Sequence, residues 1–561
     1  MNPVTRIAIE NGSPEKTGPT TLVASGLGWW TGTEAPLPMD NLPGALRDIS
    51  KPIYILMKDG AYFISREGSV DPGRERSADG RFAIVAYVPV IDSMCLGEPS
   101  FCNDYRIRFP YMTGSMANGI ASTALVKAVA NAGMLGSFGA AGLSVEVVER
   151  AINTLRNGLG DKPFCFNLIH SPNEPGREEQ IVDLYIKYGI KLVEASAYLA
   201  LTLPVVRYRV YGIHRDGSGN IVAPNRIIAK ASRIEVATRW FSPPPVKMLQ
   251  QLLDSGEISQ EQCELARHIP MAQDLTVEAD SGGHTDNRPA ITLLPTMSAL
   301  RDRLQNEFDY SDPLRIGAAG GIATPASAAA AFAMGAAYIV TGTINQACIE
   351  SGSSDIARKM LAEAEQADTA MAPAVDMFEM GVKLQVLKRG TLFPMRGNKL
   401  YEYYRLYNSI DEIPEAEREN LEKTIFRAPL TEIWQNTRAF FQENGPAQII
   451  KAEQDPRHKM ALIFRWYLGL SSRWANSGKE VRQADYQIWC GPAMGAFNEW
   501  VKGSFLENPE NRKVVTVALN LLFGAVVTTR INMLRNQGVP LSSEMMRIDP
   551  IDVTEIENRL N

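Results

Sequence analysis

Short apolar runs alternate with segments of helical periodicity from about residue 105 onward, and no other feature restricts the fold of this chain as strongly. IRFPYMTG precedes a helix beginning near Ile120, LGSF (135–138) precedes SVEVVERAINTLRNG, FCFNLI (164–169) precedes EEQIVDLYIKYG, and KLVEAS (191–196) precedes the short apolar ALTLPVVRY. RIIAKAS (226–232) leads into a long segment containing PPPVKMLQQLLDSG, DLTVEAD (274–280) into ITLLPTMSALRDRLQ, LRIGAAG (314–320) into PASAAAAFAMG, and AAYIVTG (336–342) into SDIARKMLAEAEQ. Strands separated by helices pair in parallel, with the helices outside the sheet. Eight such units within about 260 residues predict an α/β fold of the (β/α)8 TIM-barrel type over 105–366. Two insertions interrupt the repeat: 207–222 reads as a hairpin turning at 216–219, and 243–270 adds a helical segment.

The flanks differ. Residues 1–104 are rich in turns and short apolar runs, and PIYILMKDGAYFI reads as a β-hairpin turning at Lys58-Asp59-Gly60, so a β-rich N-terminal α/β lead-in is expected. Beyond about 370 the strands are expected to stop. EMGVKLQVLKRG, AERENLEKTIFRAPLTEIWQNTRAFF and KMALIFRWYLGLSSRWA carry helical periodicity, which predicts a helical region over 367–561. Trp434, Trp466, Trp474, Trp489 and Trp500 fall there and serve either an aromatic core or a lipid-like pocket. The most apolar stretch, VVTVALNLLFGAVV (514–527), falls short of the ~20 residues a bilayer needs. It contains Asn520 and is followed by Arg530, so it reads as a buried helix and no membrane span is expected.

The net charge is −6, the pI is near 5.7 and no basic run stands out, which argues against nucleic acid as the main partner. The six cysteines (Cys95, Cys102, Cys165, Cys263, Cys348, Cys490) form no C-x-x-C pair and no zinc spacing. They point to reduced thiols and no bound metal. The N-terminal MNPVTRIAIENGSPEK lacks an apolar signal core, and a cytoplasmic protein is expected.

In a barrel of this kind the chemistry sits on the loops after the C-terminal strand ends. In strand order these hold 115–119, 136–142, 167–170, Ser196, Lys230, 281–284, 320–321 and 342–343. In IGAAGGIATPASAAAA a glycine pair ends a strand, and Thr324-Pro325 supplies an N-cap and a first-turn proline for the next helix. Gly320 and Gly321 would let a phosphate approach bare N–H groups at a helix N-terminus, and Gly342-Thr343 repeats the arrangement one unit later. Barrels commonly take phosphate between these two loops, although close helix–strand packing uses the same small residues. No G-x-x-x-x-G-K-[ST] loop is present, which disfavours an ATPase, and GSFGAAG lacks the G-x-G-x-x-G spacing. One of only five histidines, His284, stands directly behind Gly282-Gly283 at a strand end.

GSMANGIASTALVKAVANAGMLGSFGAAG, FNLI, EADSGGH and AAGGIATPASAAAAFAMGAAYIVTGT, in this order on these loops, resemble the FMN-dependent barrels of the FabK-type enoyl reductases and nitronate monooxygenases (2-nitropropane dioxygenases) over about 105–360. VKLQVLKRGTLFPMRGNKLYEYY, LGLSSRWAN and DYQIWCGPAMGAFNEWV extend the likeness over nearly the whole chain, to the PfaD-type trans-acting enoyl reductases of polyunsaturated fatty acid and polyketide synthases. The family usually writes E-A-G-G-H, whereas here Asp280 and Ser281 stand between Ala279 and Gly282.

The resemblance implies an FMN-dependent enoyl reductase that consumes NADPH or NADH, acts on chains tethered to acyl carrier protein domains, and forms a homodimer. It implies FMN contacts at Met116, Ala117, Asn167, Ser196, Lys230, Gly282, Gly283, Gly320, Gly321, Gly342 and Thr343, with His284 catalytic beside the ring. His284 would orient the thioester carbonyl, stabilise the developing enolate or supply a proton to Cα, unless it only braces its loop. Lys230 would balance negative charge or hold phosphate or ring oxygens, unless it is a partly solvated strand-end lysine. Asn167 would donate to or accept from the ring or ribityl chain. Glu194 and Glu278 would stand behind them, or simply be ion-paired. For an acidic carrier the candidate surface is 381–399, which holds Lys383, Lys388, Arg389, Arg396 and Lys399 and no acidic residue. Three rivals remain: a nitronate monooxygenase, another FMN barrel enzyme and a non-enzymatic scaffold.

Overall fold

The structure, a computed structural model, describes residues 28–72, 81–92, 96–170 and 176–560. The N-terminal segment from which no leader was expected, and Cys95, lie outside the described residues. The chain divides into two compact units, Met1–Ile91 with Thr529–Arg547, and Asp92–Thr528 with Ile548–Asn561.

The first unit is a six-stranded antiparallel sheet. Its central hairpin is the expected one: Ile53–Lys58 pairs with Ala61–Ser65, and Lys58 faces Ala61. Asp59 and Gly60 form the two-residue turn with φ of 51° and 78°, the left-handed pair that matches strand twist. Trp30, Tyr54, Leu56 and Ile84 form its core, flanked by Phe63 and Phe82. Buried Arg530 donates to the carbonyl oxygens of Asp48 at 3.1 Å, Lys51 at 2.9 Å and Ala45 at 3.3 Å. Its charge therefore rests on backbone acceptors.

The second unit contains a closed barrel of eight parallel strands. In chain order they are Tyr111–Thr113, Leu135–Phe138, Cys165–Ile169, Leu192–Ser196, Arg226–Ala231, Asp274–Glu278, Arg315–Ala319 and Tyr338–Thr341. The eighth closes on the first through Ile339–Tyr111, Val340–Met112 and Thr341–Thr113. All eight expected strands are present, in the expected order. The insertions are also found, as the hairpin His214–Arg215 with Ile221–Val222 and the helices Val246–Asp254 and Gln260–Ala266. The helix Ile234–Phe241, which follows the fifth strand directly, was missed. Its N-cap is Arg233, with no side-chain cap bond, so the sequence carries no start signal there.

Side chains alternate faces along a strand, so residues two apart share the barrel interior. Met112, Leu135, Cys165, Leu192, Ile228, Ala319, Tyr338 and Val340 form one buried cluster with Phe101, Cys102, Tyr105 and Ile107. The helix Pro99–Tyr105 thus plugs the N-terminal end of the barrel. Gly317 is required there, since a Cβ would lie 2.2 Å from the Tyr338 ring, which stacks on Phe101 with centroids 4.0 Å apart. Beneath the rings, fully buried Arg315 meets fully buried Asp274 through two bonds of 2.6 and 3.0 Å. Asp104 and the Tyr105 hydroxyl, at 2.8 and 2.5 Å, complete the group.

After the barrel the strands do not stop, as the periodicity of EMGVKLQVLKRG had suggested. Thr369–Pro373 and Lys383–Leu387 pair antiparallel, and the latter also pairs with Gly283–His284. Leu384, Gln385, Val386 and Leu387 are all buried, and tertiary pairing overrides the local pattern. From Phe393 onward the region is helical as expected, with Phe393–Leu406, Leu430–Asn444, Pro456–Ser477 and Val514–Asn536 as its larger helices. Trp466 and Trp474 pack edge-to-face at 5.9 Å, as an aromatic core does.

The apolar stretch at 514–527 belongs to a longer helix, Val514–Asn536, whose 23 residues are long and apolar enough to cross a membrane. Most of its apolar window is buried inside the chain, and Asn520 donates to Thr516 and Ile551 carbonyls at 3.0 and 2.9 Å.

The barrel floor generates a first prediction. Arg315→Met strands the Asp274 carboxylate among aromatic rings and should cost about 3–5 kcal/mol, read as a lowered urea midpoint by far-UV circular dichroism. Arg315→Met with Asp274→Leu should recover much of the loss. A single variant with an unchanged midpoint would contradict the account.

Candidate active site

The alternation that fills the barrel floor with apolar groups places polar ones above them in the same columns. Cys165 is followed by Asn167, Leu192 by Glu194 and Ser196, Ile228 by Lys230, and Asp274 by Thr276 and Glu278. These side chains meet at the C-terminal mouth. The Asn167 amide donates to Ser196 Oγ at 2.9 Å and to the Glu194 carbonyl at 3.1 Å. Fully buried Glu194 takes the Ser115 N–H at 2.7 Å on Oε2, while its Oε1 has no partner among the described residues. Lys230 Nζ lies 2.9 Å from Glu278 Oε1. Burial opposes the Lys230 charge, but Glu278 and then Glu194 outweigh it, and its pKa is raised.

The loop after the sixth strand carries His284 into a two-residue strand, where it pairs with Leu384. Its Nε2 lies 3.1 Å from Asp376 Oδ1. Nδ1 meets no hydrogen-bonding partner among the described residues, and about two-fifths of the side chain is exposed. Burial lowers the His284 pKa, but the bond and charge of Asp376, aided by Glu278 and opposed by Lys230, raise it overall. Burial also works against the Asp376 carboxylate, and the His284 contact leaves its pKa lowered. Lys230–Glu278 and His284–Asp376 therefore form two contacts at the mouth, with Glu194 acting on Lys230 and Glu278 acting on both Lys230 and His284.

The two inserted residues have a structural use. Gln385 donates to Asp280 Oδ1 at 2.9 Å and to the Ser281 carbonyl at 2.8 Å, and Asn287 donates to the same Asp280 oxygen at 2.8 Å. Gly282 has a reason independent of any ligand, because a Cβ there would sit 2.9 Å from the backbone nitrogens of Cys490 and Gly491. Gly283 adopts φ of 80°.

The loops after the seventh and eighth strands keep open space. Thr324 caps Pro325–Ala333 in a reciprocal box with Ser327, and Pro325 opens the helix as expected. Gly320 adopts φ of 85° and passes so close to Ala279 that a Cβ would lie 2.7 Å from its carbonyl. No atom lies within 4 Å of a Cβ built on Gly321 or Gly342. Their N–H groups and that of Thr343 find no acceptor among the described residues. The Thr343 hydroxyl takes the Gly491 N–H at 3.4 Å. Unspent N–H donors beside a capped helix start suit a phosphate, and the unpartnered Glu194 oxygen suits a ring N–H, so these residues fit a phosphate-bearing ring cofactor. Met116 and Ala117 border the mouth through backbone, with Met116 O accepting from Ala121 and Ala117 O from Ile120, both at 3.2 Å.

Residues 100–401 match the family model described as nitronate monooxygenase. The chain belongs to the nitronate monooxygenase family. It is 46% identical over 505 residues to one of the polyunsaturated fatty acid synthase polypeptides of Thraustochytrium, covering 89% of this chain and 33% of that protein. It is 46% identical over 433 residues to polyketide biosynthesis protein PksE of Bacillus subtilis, covering 77% of this chain and 56% of that one. The chain thus spans only a third to about half the length of these curated relatives. Among solved structures, it resembles the enoyl reductase domain of MlnA from the macrolactin cluster of Bacillus amyloliquefaciens. The TM-score is 0.75 and the identity 39%, over 79% of this chain and all of that domain. Residues 407–486 also match a family model described as the inserted helical domain of [acyl-carrier-protein] S-malonyltransferase. The resemblance drawn from the motifs, to the PfaD-type branch of the FabK and nitronate monooxygenase barrels, is borne out.

Sequence reasoning missed Asp376, Gln385 and the 489–491 segment. Gly491 and Trp489 lay in a stretch that carried the resemblance, but nothing in it pointed to the loop they touch.

The His284–Asp376 pair has a defined pH window. The raised imidazole pKa contributes stability that is complete below the ordinary histidine value and lost as pH rises through the raised one. The lowered carboxylate pKa contributes stability that is lost as pH falls through it. Asp376→Asn should therefore lower the His284 titration midpoint, read from ¹³C-labelled histidine resonances. An unmoved or higher midpoint would refute the pairing.

Proposed function

We propose that the protein is an FMN-dependent enoyl reductase, using NADPH or NADH to reduce the 2,3-double bond of enoyl thioesters held on acyl carrier protein domains. It would act in trans in polyunsaturated fatty acid or polyketide synthesis. The observation that carries this reading is the likeness to the MlnA enoyl reductase domain over that domain's full length.

Gly321, Gly342 and Thr343 would hold the FMN phosphate, with Asn167, Ser196, Lys230 and the Glu194 oxygen beside the ring, and the 115–117 and 282–283 backbones along it. When bound, FMN supplies the hydride that an enoyl thioester takes at Cβ, and NAD(P)H restores it. Lys230 then places a fixed cation where negative charge collects. Reduction at Cβ leaves an enolate that needs a proton at Cα. His284 is suited to give it: Nε2–H donates to Asp376, and Nδ1 carries the proton into the mouth. The raised pKa keeps that proton bound nearer neutral pH.

The basic segment at 381–399 is more dispersed than its composition suggested. It is a strand followed by a helix, Arg396 is paired with buried Asp485, Arg389 with Glu365 and Asp368, and Lys399 with Glu402. For the carrier we favour Lys388, which borders an open groove of about 530 Å³ alongside exposed Leu392 and Met395.

The deciding experiment compares substrates. NADPH consumption with crotonyl thioester supports the proposal, whereas no such consumption together with NADPH-independent O₂ uptake on a nitroalkane would replace it with nitronate oxidation. In the same assay His284→Asn should lower enoyl turnover about 10²–10³-fold while flavin reduction survives. Gly321→Asp puts a carboxylate where the phosphate would sit, and the purified variant should lose the 450 nm flavin band. A fully yellow variant would move the phosphate elsewhere.

A further inference from the structure

The turn that carries Asp376 is held from behind. Residues 374–382 connect the strands Thr369–Pro373 and Lys383–Leu387, closed by Ala374 N–H donating to the Val382 carbonyl at 2.9 Å. Asp376 and Glu379 stand three residues apart on this turn, and Phe378 between them is fully buried against Tyr401, Tyr404 and Phe464. Asp376 faces His284 on one side. Glu379 faces the helix Pro456–Ser477 on the other, where His458 Nδ1 lies 2.6 Å from its Oε1 and Arg465 Nη1 lies 3.7 Å from its Oε2.

His458 and Arg465 are seven residues apart, two helical turns along one face, and Phe464 projects beside them. Asp455 caps this helix by accepting the N–H groups of Arg457 and His458, which fixes the turn that presents the imidazole. Buried His458 spends its second nitrogen on Gln448 Oε1 at 2.8 Å. Both nitrogens thus face side chains, and neither faces the barrel mouth. His458 and Arg465 lower the Glu379 pKa, chiefly through the His458 hydrogen bond, against a desolvation cost. A carboxylate held by an imidazole, a guanidinium and a buried phenyl ring is more constraint than a surface turn needs to stay folded.

We propose that Glu379 is a positioning residue for His284: the His458–Glu379–Arg465 cluster locks the turn so that Asp376 stays aligned on Nε2, leaving Nδ1 as the nitrogen that carries the mobile proton. The helix Pro456–Ser477 thereby acts on His284 through this turn, while its Ser472 separately accepts from Asn118 of the first mouth loop at 3.2 Å. This rests on His284 being the proton carrier of the proposed reaction, but the alignment itself is independent of which substrate the enzyme takes.

The test reads His284 directly, in full-length protein without substrate. Its resonance among the five histidines is assigned by its loss in His284→Asn. The charged groups acting on it are Asp376 and Glu278, which raise its midpoint, and Lys230, which lowers it. Glu379→Ala should lower the midpoint by at least about half a unit, in the same direction as Asp376→Asn. The double variant should show no further fall, since both changes remove one interaction. His458→Gln, which keeps a donor toward Glu379, should hold the midpoint near that of the parent, while His458→Ala should not. Under turnover, Glu379→Ala should reduce kcat about tenfold with KM within about twofold. If Glu379→Ala does not fold, Glu379→Gln, of the same shape, carries the same measurements. A lowered melting temperature with an unmoved His284 midpoint would make the cluster a structural tie only and overturn the proposal. A shifted midpoint in a protein that fails to reduce enoyl thioesters would uphold the alignment while rejecting the proposed reaction.

Discussion

The closed barrel imposes one constraint on which everything else depends: each strand sends every second side chain into a space sealed at one end and open at the other. The Pro99–Tyr105 helix seals the floor, so inward residues there must be apolar or fully paired. Two residues further along the same strands, the environment admits polar groups and a ligand. Cys165 and Asn167, Leu192 and Glu194, and Ile228 and Lys230 differ in chemistry because they differ in depth, not in face.

The two ends show how depth decides what an ion pair is for. Asp274 and Arg315 are fully buried, bidentate and backed by Tyr105 and Asp104, with each oxygen and nitrogen already spent. Such a pair resists change and binds nothing else. Lys230 and Glu278 touch through one contact and remain partly exposed, and Glu194 keeps an unspent oxygen nearby. Unfinished coordination at the mouth is what a binding site requires, because a ligand gains only the interactions that the protein has not already satisfied.

Much of this was legible in the sequence, for reasons that are local. Short apolar runs alternating with helical ones specify strand and helix without knowledge of partners, so the eight barrel strands could be read directly. Thr324-Pro325 announces a helix start by the chemistry of its own first turn. The strand Lys383–Leu387 could not be read this way, because its partners lie at 369–373 and 283–284 and it stands outside the strand–helix repeat that marked the barrel strands. Asp376 was invisible for a related reason: a carboxylate in a turn looks the same whether it faces water or an imidazole. Gly282 was noticed for the right residue type, yet part of its cause, the Cys490–Gly491 backbone, lies some 200 residues away.

The loop between Glu278 and His284 connects these levels. A plain glycine pair would let the chain bend but would not decide where it goes. Asp280 and Ser281 supply two acceptors, the Gln385 amide fills both, and the strand bearing Gln385 is continuous with the turn bearing Asp376. One short antiparallel sheet therefore fixes both members of the His284–Asp376 pair, the first through its own backbone pairing and the second through the turn that joins the other two strands. Because the sheet is built largely from segments outside the eight-fold repeat, the barrel can keep the loops after its strands unchanged while residues beyond it set the surroundings of the histidine at its mouth.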